Sequence, residues 1–312
     1  VIQCVFASAR HRATFLVETP ISDAMNLPPA ALDVIAWGLQ TVVVFAGNSR
    51  LFGLLKPGSG WYTNVEMSQR YASLVTPAKF AFAIWGIIYT WEMLAMTYLV
   101  WKGQTSPIVS WRSGLWVFAN LCQGLWAPLF ATEQLGLSAV ALSGIAVSLG
   151  MLSAALRTTT GATYWLLAAP IWLHAGWTTA ASLVNVNLVF AARGASAGVQ
   201  LAAAFASSVT ALMIGLLAVF GVAFSPCTSD PFAPLPFSAA ICWALFAIRA
   251  ELLSPDLIKG ASAYAEVGEA GRVALQLCTA GSAIFLAVGS LAISSMAFVQ
   301  RSGWTFPSPG LL

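Results

Sequence analysis

Eight stretches of about 20 predominantly apolar residues follow one another through the chain, joined by links too short to hold a folded domain. A helix rises 1.5 Å per residue, so about 20 such residues cross the ~30 Å hydrocarbon layer of a bilayer. The stretches run from Leu32 to Phe52, Phe80 to Trp101, Gly114 to Phe130 and Leu135 to Leu156, then Ala162 to Phe190, Ala197 to Phe224, Leu235 to Leu253 and Val273 to Val299. Composition agrees. The 312 residues are 59% hydrophobic and 8% charged, whereas a soluble domain carries about 25% charged residues. Too few charges remain to cover a water-facing surface. The expected fold is all-α, a polytopic membrane helix bundle with about eight transmembrane helices.

Links such as Arg157–Gly161 and Ser225–Pro234 are short, which makes neighbouring helices antiparallel and adjacent. Two longer links, Gly53–Lys79 and Ser254–Arg272, carry charges of both signs, as water-facing segments do. Gly144 and Ser148, Ala203 and Ser207, and Ala283 and Ala287 lie four apart and permit close helix approach. Lys and Arg divide almost evenly between alternate sides, so the positive-inside rule assigns no orientation. The chain begins at Val1, and Arg10, His11 and Arg12 precede the first acid, Glu18. That pattern suits either the tail of an organelle-targeting region, hence a plastid or mitochondrial membrane, or an ordinary N-terminal arm over residues 1–30.

Several function classes are disfavoured. The net charge of +3 is spread out, so no nucleic-acid partner is read from it. Five scattered cysteines and two histidines give no disulfide framework and no dedicated metal site. No nucleophile–base pair, carboxylate dyad or phosphate-binding glycine loop is visible, and the reading leans away from an enzyme.

Tryptophan is unevenly placed: of 13, all but Trp243 and Trp304 fall between Trp37 and Trp177. Trp61, Trp101, Trp111 and Trp304 sit near span ends, where the ring anchors at headgroup level. Trp85, Trp126 and Trp177 sit inside spans, where facing rings would make a slot for a planar ligand. Glu92 and His174 are the only ionisable side chains well inside spans apart from Tyr and Cys. A charged group there costs roughly 2.5–3.5 kcal/mol on insertion scales. His174 reads as an axial ligand of a metal tetrapyrrole or as a neutral histidine bonded across helices. Glu92, one turn past Tyr89 and two past Trp85, reads as a cavity wall or as a paired structural acid. The amides Asn120, Gln123 and Asn185 suit interhelical hydrogen bonds.

Three motifs resemble a known family. The run Thr76-Pro77-Ala78-Lys79-Phe80-Ala81-Phe82-Ala83-Ile84-Trp85-Gly86-Ile87-Ile88-Tyr89 is similar to the second-helix signature of the TspO/translocator (tryptophan-rich sensory) family. Gln123-Gly124-Leu125-Trp126-Ala127-Pro128-Leu129-Phe130 resembles its third-helix stretch, and Trp172-Leu173-His174-Ala175-Gly176-Trp177 with Asn185 resembles the fifth. The chain departs at Gln123 and Gly124, where the family has Asn and Trp. It also has Phe190 where the weak sterol-associated pattern after the fifth helix needs Tyr.

The resemblance implies a TspO-like five-helix bundle over 31–192, here followed by a three-helix membrane extension over 193–312. It implies a cavity for a tetrapyrrole (porphyrin, haem or chlorophyll) or a sterol-like molecule, with lipids around it and homodimers frequent. The expected site is Trp85, Tyr89, Glu92, Gln123, Trp126, His174, Trp177 and Asn185, serving sequestration, transfer or sensing. The alternative is a structural, chlorophyll-bearing subunit of a photosynthetic or respiratory membrane supercomplex.

Overall fold

Where apolar runs are bounded by Pro, Gly and polar links, helices form and stop. The computed structural model describes residues 30–49, 58–102 and 112–302. Among them stand eight long helices: α1 (Ala31–Ser49), α2 (Ile84–Lys102), α3 (Arg112–Ala131), α4 (Leu135–Ala155), α5 (Ala169–Ala192), α6 (Ala197–Ala223), α7 (Leu235–Leu253) and α8 (Gly268–Ser302). No strand occurs among the described residues. The helices occupy the eight expected stretches, with α8 a turn longer at its start. The N-terminal arm but for Ala30, the end of the first stretch beyond Ser49, Trp111 and Trp304 lie outside the described residues. The long links also hold short helices, Asn64–Arg70 and Ser262–Glu266, that the sequence reading left as loop.

Seven of the long helices, with α2 extended back through a 3₁₀ turn to Lys79, are long and apolar enough to cross a membrane. The remaining one is α5. Its 24 residues are long enough, but Trp172, His174, Thr178, Thr179, Ser182, Asn185 and Asn187 lower its hydropathy, and all seven are buried. This helix packs against α2, α4, α6 and α7. Protein rather than lipid surrounds it: His174, Asn185 and Asn187 bond to neighbouring helices, while Thr178, Thr179 and Ser182 donate to the backbone of α5 itself. The lipid-facing surface is carried by side chains such as Leu39, Val42, Val140, Leu217, Leu277 and Val288, all exposed.

The entry to α5 has a local cause. Gly161 adopts a positive φ of 56°, and Tyr164–Ala168 forms a π-helical turn in which the Ala169 N–H donates to the Tyr164 carbonyl. In that register the next donor would be residue 170, which is proline and has no N–H. The Trp165 carbonyl is thereby freed, and the Trp91 indole of α2 donates to it at 2.7 Å.

The expected three-helix extension is joined to the first five helices by a shared core that includes Trp126, Ile145, Leu167, Phe237 and Leu286. At Gly176 the approach of α5 to α7 is so close that a Cβ would lie 2.2 Å from the Phe237 carbonyl oxygen. Glycine is the residue that leaves this room. Gly144, singled out above as a small residue, likewise faces Cys122 across the α3–α4 contact. The start of α2 is bound to α7. Ala78 N–H donates to the Ala247 carbonyl at 3.1 Å, and the Trp243 indole donates to Ala81 O at 3.1 Å. Lys79 pairs with Asp256 at 2.6 Å. Buried Glu251 shapes the loop that presents Asp256, its Oε1 accepting from the backbone N–H groups of Asp256, Leu257 and Ile258. At the far end of the extension, the Arg301 guanidinium donates to the carbonyls of Ala223, Ser225 and Thr228, closing the end of α6.

Candidate ligand-binding site

The three mid-span tryptophans face one another. Trp85 at the start of α2 stacks on Trp126 of α3, with centroids 6.1 Å apart and planes at 29°. It also meets Trp177 of α5 edge-on at 6.0 Å. Trp126 stacks in turn on Phe130 at 5.5 Å. Such pairs each contribute about 0.5–1.5 kcal/mol beyond area burial. Helical spacing produces the arrangement: Trp177, Ala181, Val184, Asn185 and Leu188 lie along one face of α5.

These rings wall a cavity of about 50 Å³, bordered on other sides by Leu142 of α4, Ala244 of α7, and Asn64, Ser68 and Pro77 of the α1–α2 link. The cavity is far below the roughly 300–1,000 Å³ of pockets that bury a drug-sized ligand. The rings fill most of the space they enclose. A planar guest enters only if the rings move apart.

Four of the eight expected residues stand in the cavity wall: Trp85, Trp126, Trp177 and Asn185. The other four form two buried hydrogen-bonded sets, His174 with Glu92 and Tyr89 with Gln123, each meeting the aromatic cluster at Trp85. His174 Nδ1 lies 2.7 Å from Glu92 Oε1, and the Trp37 indole of α1 donates to Glu92 Oε2 at 3.1 Å. Tyr89 stacks on Trp85 at 5.6 Å. Its hydroxyl donates to Gln40 Oε1 at 3.3 Å and accepts from Gln123 Nε2 at 3.1 Å. The His174 ring meets Trp85 edge-on at 5.5 Å. Glu92 is therefore a paired acid and His174 a cross-helix partner. Asn185 exchanges long hydrogen bonds with Ser138 of α4 at 3.3 and 3.4 Å. Asn120 bonds its own helix, donating to Trp116 O at 2.8 Å.

Several buried polar atoms are left without a partner: the indole nitrogens of Trp126, Trp172 and Trp177, His174 Nε2 and Gln123 Oε1. In a dry interior each unpaired donor costs about 1–3 kcal/mol. Two of these indoles belong to residues of the cavity wall, and their N–H groups are themselves buried.

A metal tetrapyrrole would draw on His174. Its Nδ1 is held by a carboxylate while Nε2 is unpaired, the arrangement that orients a metal-ligating imidazole. Yet His174 is absent from the cavity wall and Trp85 packs against its ring. The residues do not fit axial ligation from this cavity.

Some wall residues carried no chemical signal in the sequence. Leu142, Ala244 and Leu188 look like any core residue, although stepping along α5 from Trp177 by three and four reaches Ala181, Val184 and Leu188. Trp37 and Gln40 of α1 were also missed as partners of Glu92 and Tyr89.

The fold and cavity define a class, the helical membrane bundles whose inner helices turn tryptophans toward one another. Within it, the chain belongs to the family of TSPO-like proteins, whose model matches residues 34–268. The match takes in the helices from α1 through α7 and ends where α8 begins. It is an integral membrane protein. Comparison with curated proteins and with solved structures finds no match.

Proposed function

We propose that the protein binds a flat, largely apolar ring of the tetrapyrrole class between Trp85, Trp126 and Trp177, and sequesters or hands on that ring without chemical turnover. The observation that carries the reading is the pair of buried, unpartnered indole N–H groups of Trp126 and Trp177 in the wall of an aromatic cavity. A ring with carbonyl or carboxylate edges supplies their missing acceptors. Its π-face replaces the stacking that Trp85 and Trp126 make with each other, so opening the rings exchanges one aromatic contact for another. A metal-free porphyrin is favoured over haem, because the one imidazole nearby is covered by Trp85.

The link between α1 and α2 bears Asn64, Ser68 and Pro77 over the cavity. It is held to α3 by the Tyr62 N–H on the Ala131 carbonyl at 2.9 Å. Arg70 pairs with Glu133, and Tyr71 donates to the same carboxylate at 3.0 Å. The same link is buried at Met67, Ser68 and Ala72–Pro77 and packs Ala72, Leu74 and Val75 against Ala204, Ile248 and Leu252, so a guest enters by parting the rings rather than by lifting this wall.

Titration of the purified protein in detergent with protoporphyrin, and separately with haem, tests the reading. Tryptophan fluorescence should quench with a low-micromolar Kd for protoporphyrin, and Trp177→Leu should raise that Kd at least about tenfold, the loss of one stacking partner and one hydrogen bond. Absence of quenching, or an unchanged Kd in the variant, would remove the proposal.

A further inference from the structure

A second, smaller cavity of about 20 Å³ lies between α5, α6 and α7, walled by residues that include Val75, Ala180, Leu183, Ala211, Leu245 and Ile248. Val184 and Ala244 stand in the walls of both cavities. The two spaces thus adjoin at one valine and one alanine side chain. Their chemistry differs. The aromatic cavity has amides and a hydroxyl in its wall, with two unpaired indole N–H groups buried among the same residues. In the second, the hydroxyl groups are already engaged: Ser208 donates to Ala204 O at 2.9 Å, and Ser207 accepts from Asn187 Nδ2 at 2.7 Å. No side-chain atom of that wall is among the buried polar atoms left unpaired.

We infer that the cleft between α5, α6 and α7 is a tail channel, which seats one alkyl or prenyl chain of a ligand whose flat head lies among Trp85, Trp126 and Trp177. The inference rests on the proposed ring site and adds the chemical class of its occupant, a ring carrying a single long hydrocarbon chain. A ring system is too wide for the cleft and a polar group would find no partner there. A chain of methylenes needs no polar partner and is the narrowest of the three, and at about 20 Å³ the cleft admits it as the helices part, just as the rings part for the head. The channel is built by α6 and α7, so the helices beyond the first five determine which rings are accepted. Hydrocarbon is equally at home in the surrounding lipid. Selection for the chain therefore comes from close contact with the cleft walls rather than from escape from water.

The full-length protein in nanodiscs, with two probes, tests this: protoporphyrin IX monomethyl ester and the corresponding monooctyl ester. Wild type should bind the octyl ester more tightly. Ala211→Phe fills the cleft from α6, at a wall position the aromatic cavity does not share. It should weaken the octyl ester at least about tenfold, within the cost of overpacking a filled site, and leave the methyl ester within about twofold. Leu245→Ala enlarges the same cleft and should strengthen the octyl ester alone; it decides the matter if Ala211→Phe does not fold. Equal effects of either variant on both esters, or no effect on either, would overturn the tail channel while the ring site stands. If wild type binds neither ester, the ring site itself falls and the channel with it.

Discussion

Gly176→Ala adds one carbon where α5 and α7 are closest. That carbon would stand 2.2 Å from the carbonyl oxygen of Phe237 and 2.9 Å from its carbonyl carbon and Cα. A carbon reaches a carbonyl oxygen comfortably at about 3.3 Å, so the helices must part by roughly 1 Å. The obstacle is backbone, and no rotamer change relieves it. Overpacking costs about 1–3 kcal/mol where side chains give way, so the top of that range, about 3 kcal/mol, is expected. The matched control is Gly144→Ala. Its Cβ would meet the Cys122 sulfur at 3.0 Å, and that side chain can turn, so a loss below about 1 kcal/mol is expected. Thermal unfolding in one detergent, followed by tryptophan fluorescence, ranks the two. Gly176→Ala should melt well below Gly144→Ala, and its porphyrin affinity should fall because Trp177 is the next residue. If the two variants melt together, the close α5–α7 contact is not what the geometry says it is.

Two further outcomes are expected. Glu92→Ala strips the acceptor from both His174 Nδ1 and the Trp37 indole and should cost about 3 kcal/mol or more, the usual penalty for removing one partner of a buried pair; Glu92→Gln, which keeps one acceptor oxygen, should melt measurably higher, and equal melting would contradict the pairing. The second concerns pH: the Lys79 ammonium, donating a hydrogen bond beside Asp256, holds that carboxyl below its ordinary value of 3.8. A depressed carboxylate pKa stabilises the folded state above the ordinary value, and the stabilisation is lost as pH falls through the folded value. Wild type should therefore melt slightly above Asp256→Asn at neutral pH, and the gap should close in acid below about pH 4 and shrink in high salt. A gap that widens in acid would refute the assignment.

Helix positions were legible because bilayer thickness fixes the length of an apolar run, and span ends fell within a few residues at nearly every helix. The inward set of Trp85, Trp126 and Trp177 was legible because a large ring with an N–H deep in a span calls for burial. Apolarity alone could not show that α5 is enclosed, because a buried helix and a lipid-facing one have similar overall composition; only the contacts of its histidine, threonines and asparagines set it apart. Helix–helix clamps were also hidden. Gly176 is one glycine of 25, and nothing in its neighbours in sequence says that a carbonyl of residue 237 will lie against it. The division between His174 and the cavity was equally invisible, since spacing puts His174 and Trp177 on neighbouring faces of one helix but does not reveal that Trp85 fills the gap.

The polarity of α5 has a consequence for how the protein is made. Its histidine and asparagines find partners within the bundle that bare lipid does not supply. Its neighbours in sequence, α4 and α6, are long and apolar enough to cross a membrane. Stable integration of the fifth segment thus depends on these flanking segments and on the arrival of α7, whose carbonyl surface receives Gly176. Biogenesis is cooperative: truncating the nascent chain before residue 253 should leave the fifth segment waiting at the translocon without its partner.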